Sequence, residues 1–244
     1  MTKKKGSDHG IPCLWAIIPA AGRGLRMNSD IPKQHMPLCG KSVLHHTLSR
    51  LCDMTEIQGV AVGLSSPDPW WEQNPFDHPK LLGTYPGGER RQDTVLNGLG
   101  YLAEVAEIGP SQQVLVHDAA RPCITRRDVV NVAEKALESE NGAVLGSRVK
   151  DTIKTSSGHD VISGTLDRSC CWRAYTPQVF ALGKLLFALE TAREKGVTVT
   201  DEAMAMELVG LPPCMVQGSD MNIKITENVD LRLAGFFLEG RIDE

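Results

Sequence analysis

Long apolar runs are missing. No stretch of this 244-residue chain reaches the roughly 18 apolar residues needed to cross a bilayer, so no membrane partner is expected. Aromatic residues are scarce, at 5%, and the formal net charge is −4; together these speak against a nucleic-acid partner. The lysines near the N-terminus, Lys3 to Lys5, precede no small-residue cleavage site, so residues 1–12 read as a disordered tail rather than a signal peptide. Seven cysteines include no C-x-x-C pair, and Cys170-Cys171 are adjacent. That pattern is neither a disulfide framework nor a zinc site, and it suits a reducing, cytoplasmic location. The histidines show no metal-ligand spacing. Repeats and low-complexity linkers are absent too, so residues 13–240 are expected to form one domain.

Two nucleotide-binding motifs are incomplete. Gly22-Arg-Gly24-Leu-Arg-Met27 has the first two glycines of a dinucleotide fingerprint, but Met27 stands where close helix–strand packing requires the third. Gly40-Lys41-Ser42 resembles the end of a P-loop. His35 takes the position of its first glycine, and Ser42 reads instead as the cap of a helix running to Cys52.

What is present is a short apolar run, Leu14 to Ile18, broken by Pro19 and followed by the small-residue loop Ala20-Ala21-Gly22-Arg23-Gly24. Such a run reads as a buried strand, and such a loop lets backbone approach a ligand closely. Between Ala20 and Lys33 stand three cations, Arg23, Arg26 and Lys33, against the single carboxylate of Asp30. Pro32 stiffens the chain before the lysine. A cationic glycine loop after a first strand, on an acidic protein, is a phosphate-handling signature.

Further strands are expected at Ile57–Leu64, Lys80–Tyr85, Gln113–His117, Gly142–Ser147, Met215–Val216 and Asn222–Thr226. Helices are expected at about Arg90–Val105, Arg126–Ser139 behind a Thr125 cap, Lys184–Lys195 ended by Gly196, Glu202–Leu208 capped by Thr200 or Asp201, and from a Thr226 cap to Leu238. Residues 65–79 read as an irregular loop. This alternation predicts an α/β fold, a Rossmann-like sheet flanked by helices. Gly87-Gly88 before a helix offers backbone N–H groups to a ligand. Arg90 and Arg91 at that helix N-terminus oppose the helix dipole, which points to an anionic partner. Asp118 follows a strand and is suited to hold Mg²⁺ beside a nucleotide's phosphates, with Arg121 as its ion-pair partner. From Val149 the alternation breaks into two strands, Val149–Lys154 and Val161–Arg168, around a polar turn. This β-arm, at about residues 149–172, would expose its edges unless a second subunit covered it.

Read in order, Pro19-Ala-Ala-Gly-Arg-Gly24, Arg26-Met27, Pro32-Lys33-Gln34, Val116-His-Asp-Ala-Ala-Arg-Pro122, Val149-Lys-Asp-Thr152, Leu166-Asp-Arg168, Thr176-Pro-Gln178, Thr200-Asp-Glu-Ala203 and Asn222-Ile-Lys-Ile-Thr226 resemble the motifs of one family. It is the 2-C-methyl-D-erythritol 4-phosphate cytidylyltransferases of the non-mevalonate isoprenoid pathway, within the nucleotidyltransferase superfamily. The first motif gives only the superfamily; the later ones, in this order, are specific.

The resemblance implies transfer of CMP from CTP to methylerythritol phosphate with release of pyrophosphate, aided by Mg²⁺, in a homodimer joined through the β-arm. By position it implies that Arg26 and Lys33 stabilise the pentacoordinate phosphate and the leaving pyrophosphate, and that Lys224 contacts the α-phosphate. It matches Asp118 to the carboxylate beside Mg²⁺, and Ala20, Ala21, Gly88 and Thr94 to the cytidine pocket. Thr152, Arg168 and Thr200 would hold the acceptor, with Arg168, counted as catalytic, and Thr200 reaching in from the neighbouring subunit. Gly22, Arg121 and Thr176 complete the substrate-binding set. The chain departs from the family at Thr94, usually serine, and at Leu25, usually a second arginine. Two other readings are open: the same chemistry on another alcohol phosphate such as ribitol phosphate, or a nucleotide-binding protein without turnover.

Overall fold

The computed structural model describes residues 13–22, 30–158 and 160–240. Its centre is the strand β1 (Leu14–Pro19), whose uninterrupted apolar run supplies both faces of a sheet. Leu14, Ala16 and Ile18 enter one core and Ile17 the other. That is what the two-residue period of a strand demands when both faces are covered.

The chain continues through a 3₁₀ turn at Lys33–His35 and a short ribbon of β2 (Pro37–Leu38) and β3 (Lys41–Ser42). Helix α1 (Val43–Cys52) follows, with the Ser42 hydroxyl accepting the His45 N–H as the sequence predicts. Strands β4 (Ile57–Leu64) and β5 (Leu81–Pro86) then pair in parallel on one side of β1. After helix α3 (Arg91–Val105), the chain crosses over and β6 (Gln113–Val116) pairs in parallel on the other side. Helix α4 (Arg126–Glu138) follows, capped by Thr125. Strands β7 (Ala143–Arg148), β10 (Trp172–Ala181) and β11 (Cys214–Gln217) finish a seven-stranded mixed sheet of order β11-β7-β10-β6-β1-β4-β5, in which β10 is antiparallel to both neighbours.

Helices α1 and α4 cover one face through Leu44, Leu48, Leu51, Val129 and Val132. On the other lie α3 with α5 (Leu182–Glu194) and α6 (Glu202–Leu208), through Leu99, Leu102, Leu185, Leu189 and Met206. Each fully buried leucine or valine contributes about 1.5–3 kcal/mol relative to exposure. A third cluster, Leu38, Val43, Cys123, Ile225 and Ala234, seats α7 (Asn228–Glu239).

Several elements differ from the sequence expectation. Residues 65–79 contain a short helix, α2 (Pro69–Gln73), with the Asp68 carboxylate accepting the Trp71 N–H. The expected strand at 222–226 is an irregular connection. Its hydrogen bonds go singly to scattered partners: the Ile225 N–H to Ala120 O, and the Asn222 side chain to Thr176 O. Thr226 is not the cap of α7; Glu227 is, and the Asp230 carboxylate accepts the N–H groups of both residues and the Thr226 hydroxyl. The arm is a short hairpin of β8 (Lys154–Ser156) and β9 (Ile162–Thr165), smaller and later than expected. Residues 149–153 are drawn to the base of the arm, where the Val149 N–H donates to Cys171 O. Val161 and Ile162 remain 65% and 63% exposed on it.

Candidate active site

The chain order places the site. Within the main sheet, β4 and β5 lie on one side of β1, and the following crossover brings β6 to the other. The carboxyl ends of β1 and β6 therefore meet at a topological switch point, where open α/β sheets bind ligands. A cavity of about 240 Å³ lies there. Its wall includes Ala20, Ala21, Gly22, Lys33, Gly88, Thr94, Asp118 and Lys224, eight of the residues singled out from sequence.

The loop after β1 is held from beneath. The buried Gln34 side chain donates to Ala20 O at 2.6 Å and to Gly22 O at 3.0 Å, so the turn carrying Lys33 and the small-residue loop move as one piece. Across the cavity, Gly87 and Gly88 do not offer their N–H groups outward, contrary to expectation. The Gly87 N–H donates to Leu64 O at 2.7 Å and the Gly88 N–H to the Thr94 hydroxyl at 3.0 Å. The glycines are needed for space instead: a Cβ on Gly87 would lie 2.3 Å from the Ala21 Cβ, and one on Gly88 2.4 Å from the Asp93 Cβ.

Asp118 is the electrostatic centre. Its backbone N–H is fixed by the buried Thr176 hydroxyl at 3.0 Å. Its carboxylate meets Arg91 Nε at 3.1 Å on Oδ1, and Arg121 Nε at 3.3 Å and Lys224 Nζ at 2.9 Å on Oδ2. Burial works to raise its pKa, but the charges of Arg91, Lys224 and Arg121 outweigh it and hold the carboxyl well below the usual range. Arg121 also donates to Asn222 O at 2.8 Å and lies over the Tyr175 ring, so Arg121 and Thr176 stand behind the cavity wall and aim Asp118 into it. Behind them, the buried His117 ring donates from Nε2 to Arg121 O at 3.1 Å; burial pulls its pKa down to about 4, so it is neutral.

Arg91 finds its anionic partners within the protein. Besides Asp118, it makes a forked pair with the buried Glu202 at 2.6 and 3.1 Å. Its neighbour Arg90 is paired with Asp93. Sequence reasoning missed Gln34 and Glu202 as site residues and left Arg91 unassigned. The only signal was the unfavourable position of Arg91 at a helix N-terminus.

The remaining sequence candidates lie elsewhere. Arg26 falls outside the described residues. Thr152 and Arg168 sit exposed at the base of the arm, the latter donating to Lys150 O at 2.6 Å, and Thr200 is exposed just before α6. None of these three lines the cavity of its own subunit.

The family model for IspD: 2-C-methyl-D-erythritol 4-phosphate cytidylyltransferase matches residues 14–240. Proteins of that name from Aliivibrio fischeri and Vibrio parahaemolyticus are 42% and 43% identical, over 92% and 91% of this chain and 93% and 94% of theirs. Among solved structures, the 2-C-methyl-D-erythritol 4-phosphate cytidylyltransferase of Francisella tularensis superposes with a TM-score of 0.80 at 34% identity, over 92% of this chain and 99% of that one. That of Thermus thermophilus superposes at 0.75 with 30% identity, over 92% and 98%. The chain belongs to the 2-C-methyl-D-erythritol 4-phosphate cytidylyltransferase family.

Proposed function

We propose that the cavity at the ends of β1 and β6 carries out the reaction for which the family is named: CTP and 2-C-methyl-D-erythritol 4-phosphate give the CDP-linked alcohol and pyrophosphate. The observation that carries the reading is the convergence of Lys33, Arg91 and Lys224 with a firmly ionised Asp118 on one cavity. The acceptor's phosphate monoester has a second pKa of about 6 and is already a competent nucleophile at neutral pH, so no general base is needed. The task is to bring two polyanions together and hold charge on the α-phosphate during in-line attack.

Lys33 and Arg26 are the groups for the triphosphate and the leaving pyrophosphate, and Lys224 for the α-phosphate under attack. Ala20, Ala21 and Gly22, with Gly88 and Thr94 opposite, form a narrow slot for a pyrimidine. The Thr94 hydroxyl is occupied by Gly88 and Arg90 O, so it acts mainly by shaping that wall.

Asp118 suits Mg²⁺. It lines the cavity, and its Oδ1 accepts one described protein donor, which leaves a lone pair for a cation. Among the described residues no group of three or more His, Cys, Asp or Glu side chains could hold a metal. That fits an ion whose other ligands are phosphate oxygens and water. When bound, the ion neutralises developing charge on the phosphates.

Thr152, Arg168 and Thr200 serve the acceptor. Because Arg168 is exposed away from its own cavity, on an arm whose Val161, Ile162 and Leu166 are uncovered, the reading includes a homodimer in which the arm delivers Arg168 to the partner's site. Seven free cysteines fit a cytoplasmic place of work, and among the described residues no helix is long and apolar enough to cross a membrane.

Phosphorus NMR of the protein with CTP, methylerythritol phosphate and Mg²⁺ tests the reading. Coupled diphosphate-diester resonances and free pyrophosphate should grow together. Release of CMP without the diester would overturn it. For the dimer, an Arg168→Ala and a Lys224→Ala variant, each strongly impaired alone at low acceptor concentration, should regain activity on mixing if the arm acts in trans; no recovery contradicts that role.

A further inference from the structure

We infer that Glu202 is a positioning residue for the transfer reaction, holding the Arg91 fork, and through it the Asp118 carboxylate, in a fixed aim at the cavity. The inference rests on the reading of the cavity given above.

Glu202 is 1% exposed, and its two carboxylate oxygens are taken by the two terminal nitrogens of Arg91. The third nitrogen of the same guanidinium, Nε, meets Asp118 Oδ1 at 3.1 Å. One planar, rigid fork therefore has fixed donors on both carboxylates, a geometry that a lysine could not supply. Glu202 itself is anchored on both sides. The Gln178 side chain on β10 donates to Asp201 Oδ2 and accepts the Ala203 N–H, each at 2.9 Å. The start of the helix bearing Arg91 is joined to the same segment again, and Gln92 Nε2 donates to Val197 O at 3.3 Å. Gln92 Oε1 accepts the Val199 N–H at 2.8 Å, and Arg90 donates to the Thr198 hydroxyl at 3.2 Å. Thr200, read as serving the neighbouring subunit's acceptor, lies between these ties and Glu202. The cavity wall that carries Arg91 is thus fastened to the 197–203 segment at three successive residues, the Arg90 cap and the first two residues of α3.

Burial alone would weaken the Arg91 charge; Glu202 and Asp118 more than restore it and raise its pKa. Three cations, Arg91, Arg121 and Lys224, face two carboxylates, Asp118 and Glu202. Removing the Glu202 charge leaves the cluster with one more net positive charge and frees the Arg91 fork. A triphosphate should then bind at least as tightly, by attraction to the added charge, while Asp118 loses its fixed aim.

The test is a double-mutant cycle with Glu202→Gln, Arg91→Gln and the double variant, each checked for an unchanged thermal midpoint. It measures kcat for pyrophosphate release and, separately, CTP affinity by calorimetry without acceptor. Glu202→Gln should lower kcat about 10-fold, equivalent to about 1.4 kcal/mol, with CTP affinity unchanged or tighter. In the Arg91→Gln background the same change should cost less than about twofold, because Glu202 acts only through Arg91. If Glu202→Gln folds poorly, Glu202→Asp, which keeps the charge but ends one methylene short of the Arg91 fork, takes its place in both backgrounds. Multiplicative losses, or equal weakening of CTP binding in both backgrounds, would overturn the inference. A wild type that binds CTP but releases no pyrophosphate sinks the proposed reaction instead, while the binding cycle still reads the Glu202–Arg91 unit.

Discussion

Removing the Lys224 ammonium should raise the chemical barrier and leave folding almost untouched. The group lines the cavity, is 35% exposed and pairs with Asp118 Oδ2 at 2.9 Å. Facing a phosphate oxygen at about 4 Å in a site of effective dielectric about 20, it gains about 4 kcal/mol. If roughly two-thirds of that gain arises only as charge builds on the pentacoordinate phosphorus, Lys224→Ala raises the barrier by about 2.7 kcal/mol, about 100-fold in kcat. The value matches the scale for losing one preorganised donor. Arg91 and Arg121 still meet Asp118 in the variant, so its carboxyl stays ionised near neutrality and the pH profile should keep its shape. Lys224→Met, which keeps the apolar stem, separates charge from packing and should behave like the alanine variant. The assay is steady-state pyrophosphate release with both substrates saturating, beside a thermal melt. A well-folded variant with kcat within threefold of wild type would refute the reasoning.

Other outcomes follow from the same geometry. Arg168→Ala should raise the KM for methylerythritol phosphate far more than that for CTP; equal effects in initial-rate kinetics would mean the acceptor residues are misassigned. Gly87→Ala drives a methyl to 2.3 Å from the Ala21 Cβ, which forces the loop after β1 to shift, so it should raise the KM for CTP at least about 10-fold; an unchanged KM would contradict the place given to that loop in the base pocket. His117 is neutral in the fold, with a pKa near 4 against about 6.5 unfolded. Between those values only the unfolded chain takes up the proton, so stability falls as pH falls, by about 2 kcal/mol from pH 7 to 5. Urea melts at the two pH values should show that loss. They should show it much reduced in His117→Gln, which keeps a donor for Arg121 O; an identical loss in the variant would remove His117 as the cause.

The parts legible from sequence were those governed by local rules. The apolar runs of β1 and β6 and the caps at Ser42, Thr125 and Asp201 obey spacing and side-chain chemistry that a few neighbours decide. The strand β10 was harder to see because Pro177 interrupts its pattern. The sheet absorbs it as a register shift between Ala174 and Gln178. Asn222–Thr226 has the alternation of a strand but no neighbouring edge to pair with, and alternation alone cannot reveal that. At the site, motif residues such as Lys33, Asp118 and Lys224 were found because residue type and position carry the chemistry. The ties that aim them were not. Glu202 meets Arg91 across 111 residues, and Gln34 clamps a loop from below, contacts that exist only once the fold has formed.

The most direct measurement of the central claim is pyrophosphate release with CTP and Mg²⁺, comparing 2-C-methyl-D-erythritol 4-phosphate with ribitol phosphate. Release with the former alone is the expected result and assigns both the reaction and its acceptor. Release with ribitol phosphate alone would keep the cationic cavity but move the acceptor. No release with either, in a protein that binds CTP, would contradict the catalytic roles given to Lys33, Asp118 and Lys224.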